Sequence, residues 1–194
     1  MSSSAAGISQ TLKNLQAAFE GESNAAARYT AFAKKAEDEG YSRVSVLFRA
    51  TARAEQIHAA HHAKVITKLG ATPEAKISEP VIGTTAENLA VAKNGEEYER
   101  DVMYPEFIRE AEASGEASAV RTFRMASAAE AVHADLYGAA LANLEAQRMA
   151  AIFYVCPLCG EVTDDDTMKT CPICNVPFEK FEVFRWIPSC QLNR

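Results

Sequence analysis

Two tetrapeptides of one form, Glu55-Gln56-Ile57-His58 and Glu130-Ala131-Val132-His133, can do chemistry if they lie on helices. A three-residue separation puts carboxylate and imidazole on one helix face about one turn apart, so both can converge on one ion. Glu22, three residues after Phe19 and four before Ala26, and Glu96, four after Ala92, stand where the apolar pattern calls for a core residue. Glu99 follows three residues after Glu96 on the same face, where it is an extra ligand or a group behind the ligands. Burying Glu22, Glu55, Glu96, Glu99 and Glu130 together with His58 and His133 is costly unless the acids are paired or bind metal. A pair of cations resolves that conflict. Oxygen-rich ligation with two imidazoles suits iron or manganese, and it lacks the thiolates of a structural zinc site.

A second constellation follows downstream. Cys156-Pro-Leu-Cys159 and Cys171-Pro-Ile-Cys174 are two Cys-x-x-Cys knuckles with a step of 171 − 159 = 12 between the inner cysteines. They form a four-thiolate set for one tetrahedral ion, and the spacing suits iron and zinc alike. Gly160 and Asn175 each follow a knuckle's second cysteine, where a left-handed backbone is useful. In a reducing cytosol the pattern points to metal rather than disulfides, with Cys190 left over as an incidental thiol.

The elements that must position these residues are long helices. Leu12, Leu15, Phe19, Ala26, Tyr29, Ala33 and Ala36 recur at three- and four-residue steps, predicting a helix from Gly7 to about Gly40 with Ser9 as a cap. A second is expected over Ser42 to Leu69, stopped by Gly70, with Glu55, His58 and His62 on its inner stripe. Ala71 to Gly83 carries Pro73 and Pro80 and reads as a long crossover, which lets the second and third helices run parallel. Thr84-Thr85-Ala86-Glu87 is a capping box opening the third helix; Pro105 should kink or end its first segment, with helix resuming from Phe107 to Ala113. The fourth is expected over Glu116 to Ala150. Glu22 to Glu55 is 33 residues and Glu96 to Glu130 is 34, so two hairpins each supply a lone Glu and a Glu-x-x-His. That is the two-metal carboxylate pattern of four-helix bundles. After Ala151 the alanines give way to Phe153-Tyr154-Val155, prolines and cysteines, dividing the chain into a mainly α domain, 1–150, and a small β-rich domain, 151–194.

A formal charge of −6 with no basic run argues against a nucleic-acid surface. No apolar run approaches bilayer-spanning length, and Met1 to Gln10 lacks the basic start and apolar core of a signal peptide. A cytoplasmic location is expected. Asp164-Asp165-Asp166 reads as a solvated loop, the sharper option being a dock for a basic reductase, and His61 and His62 read as packing or surface residues.

Phe19 to Tyr29, Glu55 to His58, Glu96 to Glu99 with Met103-Tyr-Pro105, Glu130 to His133, and Cys156 to Phe181 together resemble the rubrerythrin family over nearly the whole chain. The resemblance implies a ferritin-like four-helix bundle with a di-iron site, fused to a rubredoxin-like domain holding one iron in four thiolates. It implies a peroxidase that reduces hydrogen peroxide to water, with NADH-derived electrons delivered by an external reductase or a rubredoxin. Carried over, Glu55 and Glu130 bridge, Glu96 and His133 are terminal ligands of one iron, and Glu22 serves the other with Glu99 when oxidised and His58 when reduced. Tyr29, seven positions after Glu22, and Tyr104 are candidates to hydrogen-bond a ligand or bound oxygen, the alternative being core tyrosines with satisfied hydroxyls. Glu99, His58, Tyr29 and Tyr104 thus form the candidate catalytic set. Two other readings fit the residues: a ferroxidase or iron-handling bundle, and an interaction module with zinc in the knuckles. The short join near Ala150 to Phe153 is expected to keep the thiolate iron from its own di-iron site. Proteins similar to this one form dimers in which one chain's knuckles face the other's bundle, so a homodimer at least is expected.

Overall fold

The computed structural model describes residues 9–186; Cys190 lies outside them. Helices α1 (Gln10–Asp38), α2 (Ser42–Lys68), α3 (Thr85–Tyr98), α4 (Tyr104–Ala113) and α5 (Ala117–Ala142) form the bundle, with α3 and α4 acting as one broken helix. Strands β1 (Ile152–Val155), β2 (Val162–Thr163) and β3 (Glu182–Arg185) make an antiparallel sheet of order β2-β1-β3, with Tyr154 opposite both Thr163 and Val183. Among these residues no helix is long and apolar enough to cross a membrane.

The helix ends follow local chemistry. The Ser9 hydroxyl accepts from the Leu12 amide at 3.2 Å, and Thr84 and Glu87 form the reciprocal capping box. Gly70, at φ 82°, ends α2 while the Ala71 amide turns back onto the Ile66 carbonyl. The crossover then lies along α1 on a row of polar side chains one turn apart. Gln16 donates to Thr72 O at 2.7 Å and accepts from Glu74 N, Glu20 accepts from Lys76 N, and Asn24 bonds both Lys76 O and Ser78 N. One helical turn matches two residues of extended chain, about 6 Å each, so a four-residue row satisfies a two-residue repeat.

Two apolar clusters fill the bundle, separated by the acidic layer. One holds Phe32, Val44, Phe48, Leu89 and Tyr137; the other holds Leu15, Ile66, Tyr104, Phe123 and Ala126. Both α2 and α3–α4 run from the first cluster to the second, which makes them parallel as expected.

Two expectations are corrected. The third helix does not break at Pro105: it widens into a π-helical stretch at Glu99–Met103, where the Tyr104 amide bonds Glu99 O, and Pro105 enters the first turn of α4. A widened turn accommodates a proline whose ring would otherwise clash with the carbonyl four residues back. The fourth helix stops at Ala142, and a 3₁₀ stretch, Leu144–Arg148, follows. There the Arg148 guanidinium lies 4.1 Å from the Tyr41 ring centroid and donates to Glu39 O, a tertiary anchor that helix propensity does not register. Asp164-Asp165-Asp166 is the exposed loop expected, with Asp164 paired to Arg43 and Asp165 accepting from Thr167 N at 2.8 Å to close its own turn.

The sheet packs on α2. Phe153, Val155 and Val162 belong to the same cluster as Leu47 and Phe48. Around this seam Arg53 clamps Glu182 through two bonds of 2.8 and 2.9 Å, and Arg49 donates to the Arg185 carbonyl.

Candidate metal centres

Each bundle ligand is placed by the periodicity that hid it among core residues. Glu22, Glu55, Glu96, Glu130, His58 and His133 are all buried, at most 2% exposed. Their donor atoms fall into two groups within mutual reach of one ion: Glu22, Glu55, His58 and Glu130, and Glu55, Glu96, Glu130 and His133. Glu55 and Glu130 belong to both, the positions a bridge requires. Glu22 Oε2, Glu55 Oε1, Glu96 Oε2, both Glu130 carboxylate oxygens and His133 Nδ1 have no hydrogen-bond partner. Each orphaned buried atom costs roughly 1–3 kcal/mol, so this constellation fits cations and fits little else.

Charge crowding gives the same answer. Burial, with the charge of Glu130, pushes Glu55 up to about 7. Burial, with Glu55 and Glu130, holds Glu96 well above the usual carboxylate range. Burial acts the same way on Glu22, but the His58 and His62 rings, each with a nitrogen 3.8 Å from Glu22 Oε1, outweigh it and leave that acid depressed. For His58 and His133 burial favours the neutral ring, and the surrounding carboxylates, Glu130 first, reverse this and raise both.

The imidazoles are oriented from behind. His58 Nε2–H donates to Cys159 O at 3.0 Å and His133 Nε2–H to Gly160 O at 3.1 Å, which leaves each Nδ1 facing the carboxylates. His58 Nδ1 lies 2.9 Å from Glu55 Oε2 and 3.0 Å from Glu130 Oε1. The first knuckle therefore sits directly on the bundle site of its own chain. The expectation that a short join would keep the two centres apart is overturned: α2 offers an apolar face and three arginines to the sheet, and β1 folds back onto it.

Both candidate tyrosines reach carboxylates. Tyr29 donates to Glu96 Oε1 at 2.5 Å, and Tyr104 donates to Glu22 Oε1. His62, expected to pack or face the surface, is fully buried: its Nε2–H donates to the Tyr104 oxygen at 3.1 Å and its Nδ1 accepts from Thr122 at 3.2 Å. His61 is half-buried, with Nε2–H donating to Leu158 O at 2.8 Å. Glu99 is in neither donor group. The residue is half-buried, and desolvation, then the charges of Glu22 and Glu130, raise its pKa well above normal.

Sequence reasoning passed over Glu161 and Thr122. Glu161 is buried with Oε2 unpartnered, and burial pushes it up to about 7 against the pull of His133. Its one signal was a charge flanked by Gly160 and Val162 in a strand entry.

Cys156, Cys159, Cys171 and Cys174 form the third donor group. Two sulfur pairs, Cys156–Cys174 and Cys159–Cys171, are each 3.4 Å apart, too far for a disulfide and close to the edge of a thiolate tetrahedron. The two knuckles share one backbone form: Cys156 N bonds Glu161 O as Cys171 N bonds Val176 O, each at 2.8 Å.

A ferritin-like bundle with a carboxylate-bridged two-ion cradle, joined to a four-cysteine knuckle pair, defines a non-haem di-iron protein with an attached rubredoxin-like centre. Residues 13–141 match the Rubrerythrin family profile. Nigerythrin of Nitratidesulfovibrio vulgaris is 39% identical over 178 residues, 91% of this chain and 88% of that protein. Rubrerythrin of Porphyromonas gingivalis is 39% identical over 181 residues, 90% of each. A solved structure of fully reduced, all-ferrous nigerythrin superposes with a TM-score of 0.84 at 37% identity, covering 94% of this chain and 91% of that one. The chain belongs to the rubrerythrin family. Its cofactors are a di-iron carboxylate–histidine site and a four-cysteine iron site, and its class is iron-dependent oxidoreductase.

Proposed function

We propose that this protein is a peroxidase that reduces hydrogen peroxide to two waters, taking up two electrons and two protons, with electrons entering through the four-cysteine iron. The observation that carries the reading is the seat of the first knuckle on the bundle histidines: a continuous path runs from the Cys159 sulfur through its own carbonyl to His58. The proposed ligands are Glu22, Glu55, His58, Glu96, Glu130 and His133 in the bundle, with Glu99 as the exchanging acid, and the four cysteines in the domain of residues 151–194. When bound, the irons supply electrons and Lewis acidity for cleavage of the oxygen–oxygen bond.

The chain's own residues do the rest. Tyr29 and Tyr104 hold Glu96 and Glu22 in place, and the His62–Thr122 pair fixes the Tyr104 hydroxyl. The two apolar clusters exclude bulk water from the acidic layer between them. Glu99 is an anionic oxygen donor suited to a ferric ion, and His58 a neutral donor suited to a ferrous one.

Electrons must come from outside. Cys174 is the partly exposed ligand, and beside it a cleft of about 920 Å³ is lined by Arg121, Arg124, Met125 and Ile173. Arg124 is paired with Glu112 at this mouth, which leaves Arg121 as the cationic group for an acidic side chain of a reductase or rubredoxin. A homodimer is supported by apolar residues left outward on the broken helix, Val91, Tyr98 and Val102, each about half exposed.

The reading is tested by reducing the iron-loaded protein anaerobically and mixing it with peroxide or with oxygen. Peroxide should oxidise the di-iron site much the faster. Equal rates, with ferrous iron consumed as a substrate, would point instead to a ferroxidase.

A further inference from the structure

Three consecutive carbonyls of the first knuckle accept from three imidazoles: Leu158 O from His61, Cys159 O from His58 and Gly160 O from His133. Two of these rings are proposed ligands; His61 is not. At Gly160 the approach is so close that a Cβ built there would lie 2.4 Å from His58 Nε2 and 3.0 Å from its Cδ2.

The left-handed backbone alone does not explain this glycine. Asn175 occupies the same place in the second knuckle at φ 61°, against 78° for Gly160, within the same hydrogen-bonded turn. Asn is thus adequate for the conformation. What distinguishes Gly160 is its neighbour: the second knuckle adjoins the cleft beside Arg121 and Ile173, while the first adjoins His58. A methyl group at position 160 must move the knuckle off the ring by about 1 Å to restore ordinary contact.

We propose that Gly160 and His61 are positioning residues that set the coupling between the two iron centres, Gly160 by admitting His58 to the knuckle backbone and His61 by holding the knuckle down through a ring that binds no metal. The step they control is one electron leaving the four-cysteine iron, ferrous to ferric, and reducing one ferric ion of the di-iron site to ferrous, with no bond made or broken. This rests on the electron route proposed above, but its test uses no peroxide, so the two can fail separately.

The test is a one-electron pulse delivered anaerobically to fully oxidised protein, following the return of visible absorption of the four-cysteine iron as its electron moves on. Gly160→Asn should assemble that iron with an unchanged spectrum, as Asn175 does in its own knuckle, yet slow the transfer several-fold, because the gap to His58 widens and the bond from His58 to the Cys159 carbonyl is lost. Asn175→Gly should leave the rate alone. His61→Leu should slow it several-fold and His61→Gln, which keeps an N–H donor, should restore it. In the zinc-loaded protein, the imidazole N–H signals of His58, His61 and His133 should be protected from exchange, and Gly160→Asn should abolish protection at His58. Wild-type transfer in a spectrally intact Gly160→Asn protein, with its N–H protection unchanged, overturns the proposal. Should Gly160→Asn fail to hold iron, the His61 pair decides, and equal rates in His61→Leu and wild type overturn it.

Discussion

The Glu22 half and the Glu96 half of the di-iron cradle are built alike, yet they differ where it matters. Each offers a lone glutamate, a Glu-x-x-His on the partner helix and a tyrosine bonded to the lone glutamate across the bundle. Tyr29 of α1 serves Glu96, and Tyr104 of α4 serves Glu22. On α1 the spacing from glutamate to tyrosine is 29 − 22 = 7 residues, two regular turns, while on the broken helix it is 104 − 96 = 8. Eight residues of α-helix would rotate the tyrosine off the shared face; the π-helical stretch at Glu99–Met103 absorbs the extra one. The same stretch begins at Glu99, the fifth acid, so the insertion that restores the symmetry of the tyrosines also brings an acid that the other half lacks. The halves also carry charge differently: the neighbouring His58 and His62 rings keep Glu22 ionised, while burial and neighbouring acids raise Glu96.

Breaking what the halves share should do most. Glu130→Ala removes a donor from both ion groups and should cut the bundle's iron, taking the protein from about three irons per chain to about one, with the four-cysteine absorption intact. Iron analysis and the visible spectrum check this. Breaking the asymmetry comes next. Glu99→Ala should keep both bundle irons but lower the preference for peroxide over oxygen roughly tenfold, about 1.4 kcal/mol in relative barrier. Stopped-flow oxidation by each reagent measures that ratio, and an unchanged ratio removes Glu99 from the proposed cycle. Deleting Val102, which is half exposed, should convert the π stretch to regular helix and restore a spacing of seven. That protein should fold with unchanged helicity and lose peroxide preference as Glu99→Ala does.

The tyrosines separate the halves more finely. Tyr104→Phe leaves both Glu22 and the buried His62 N–H short of a partner and should cost roughly 2 kcal/mol, while Tyr29→Phe, which orphans Glu96 alone, should cost roughly 1 kcal/mol. Thermal melts of the zinc-loaded proteins check the order. The smallest effect concerns register between the helices that carry the lone glutamates. Glu39, at the end of α1, accepts from the Thr85 hydroxyl and amide at the start of α3 and pairs with Lys35, contacts that together depress it from 4.5 to about 2. A depressed carboxylate adds stability above its unfolded value that is lost as pH falls through the folded one. Glu39→Gln should therefore cost roughly 1 kcal/mol near neutrality, allowing for solvent screening, and flatten the loss of stability between pH 4.5 and 2.

Much of the site was legible in one dimension because helices convert spacing into direction. Acids at core positions on four stripes announced a cation site, since buried carboxylates are costly without an ion, and paired Cys-x-x-Cys announced another by its ligand spacing. The π stretch was nearly legible: the mismatch of seven against eight was in the sequence, but the proline beside it offered a simpler break. His62 and Thr122 were out of reach because their role lies in whom they touch, and Thr122 comes sixty residues after its partner.

The amino-acid sequence by itself determined which acids and histidines stand on the inner stripes, which helices carry them and that α2 and α3 run parallel, all consequences of local periodicity and of a connection too long for a hairpin. Only the tertiary structure decided that the first knuckle sits on its own bundle. That contact is made by backbone carbonyls, which every residue possesses, and by a glycine whose importance is the space it leaves for His58. A sequence records side chains, and the join between these two centres is made where one is missing.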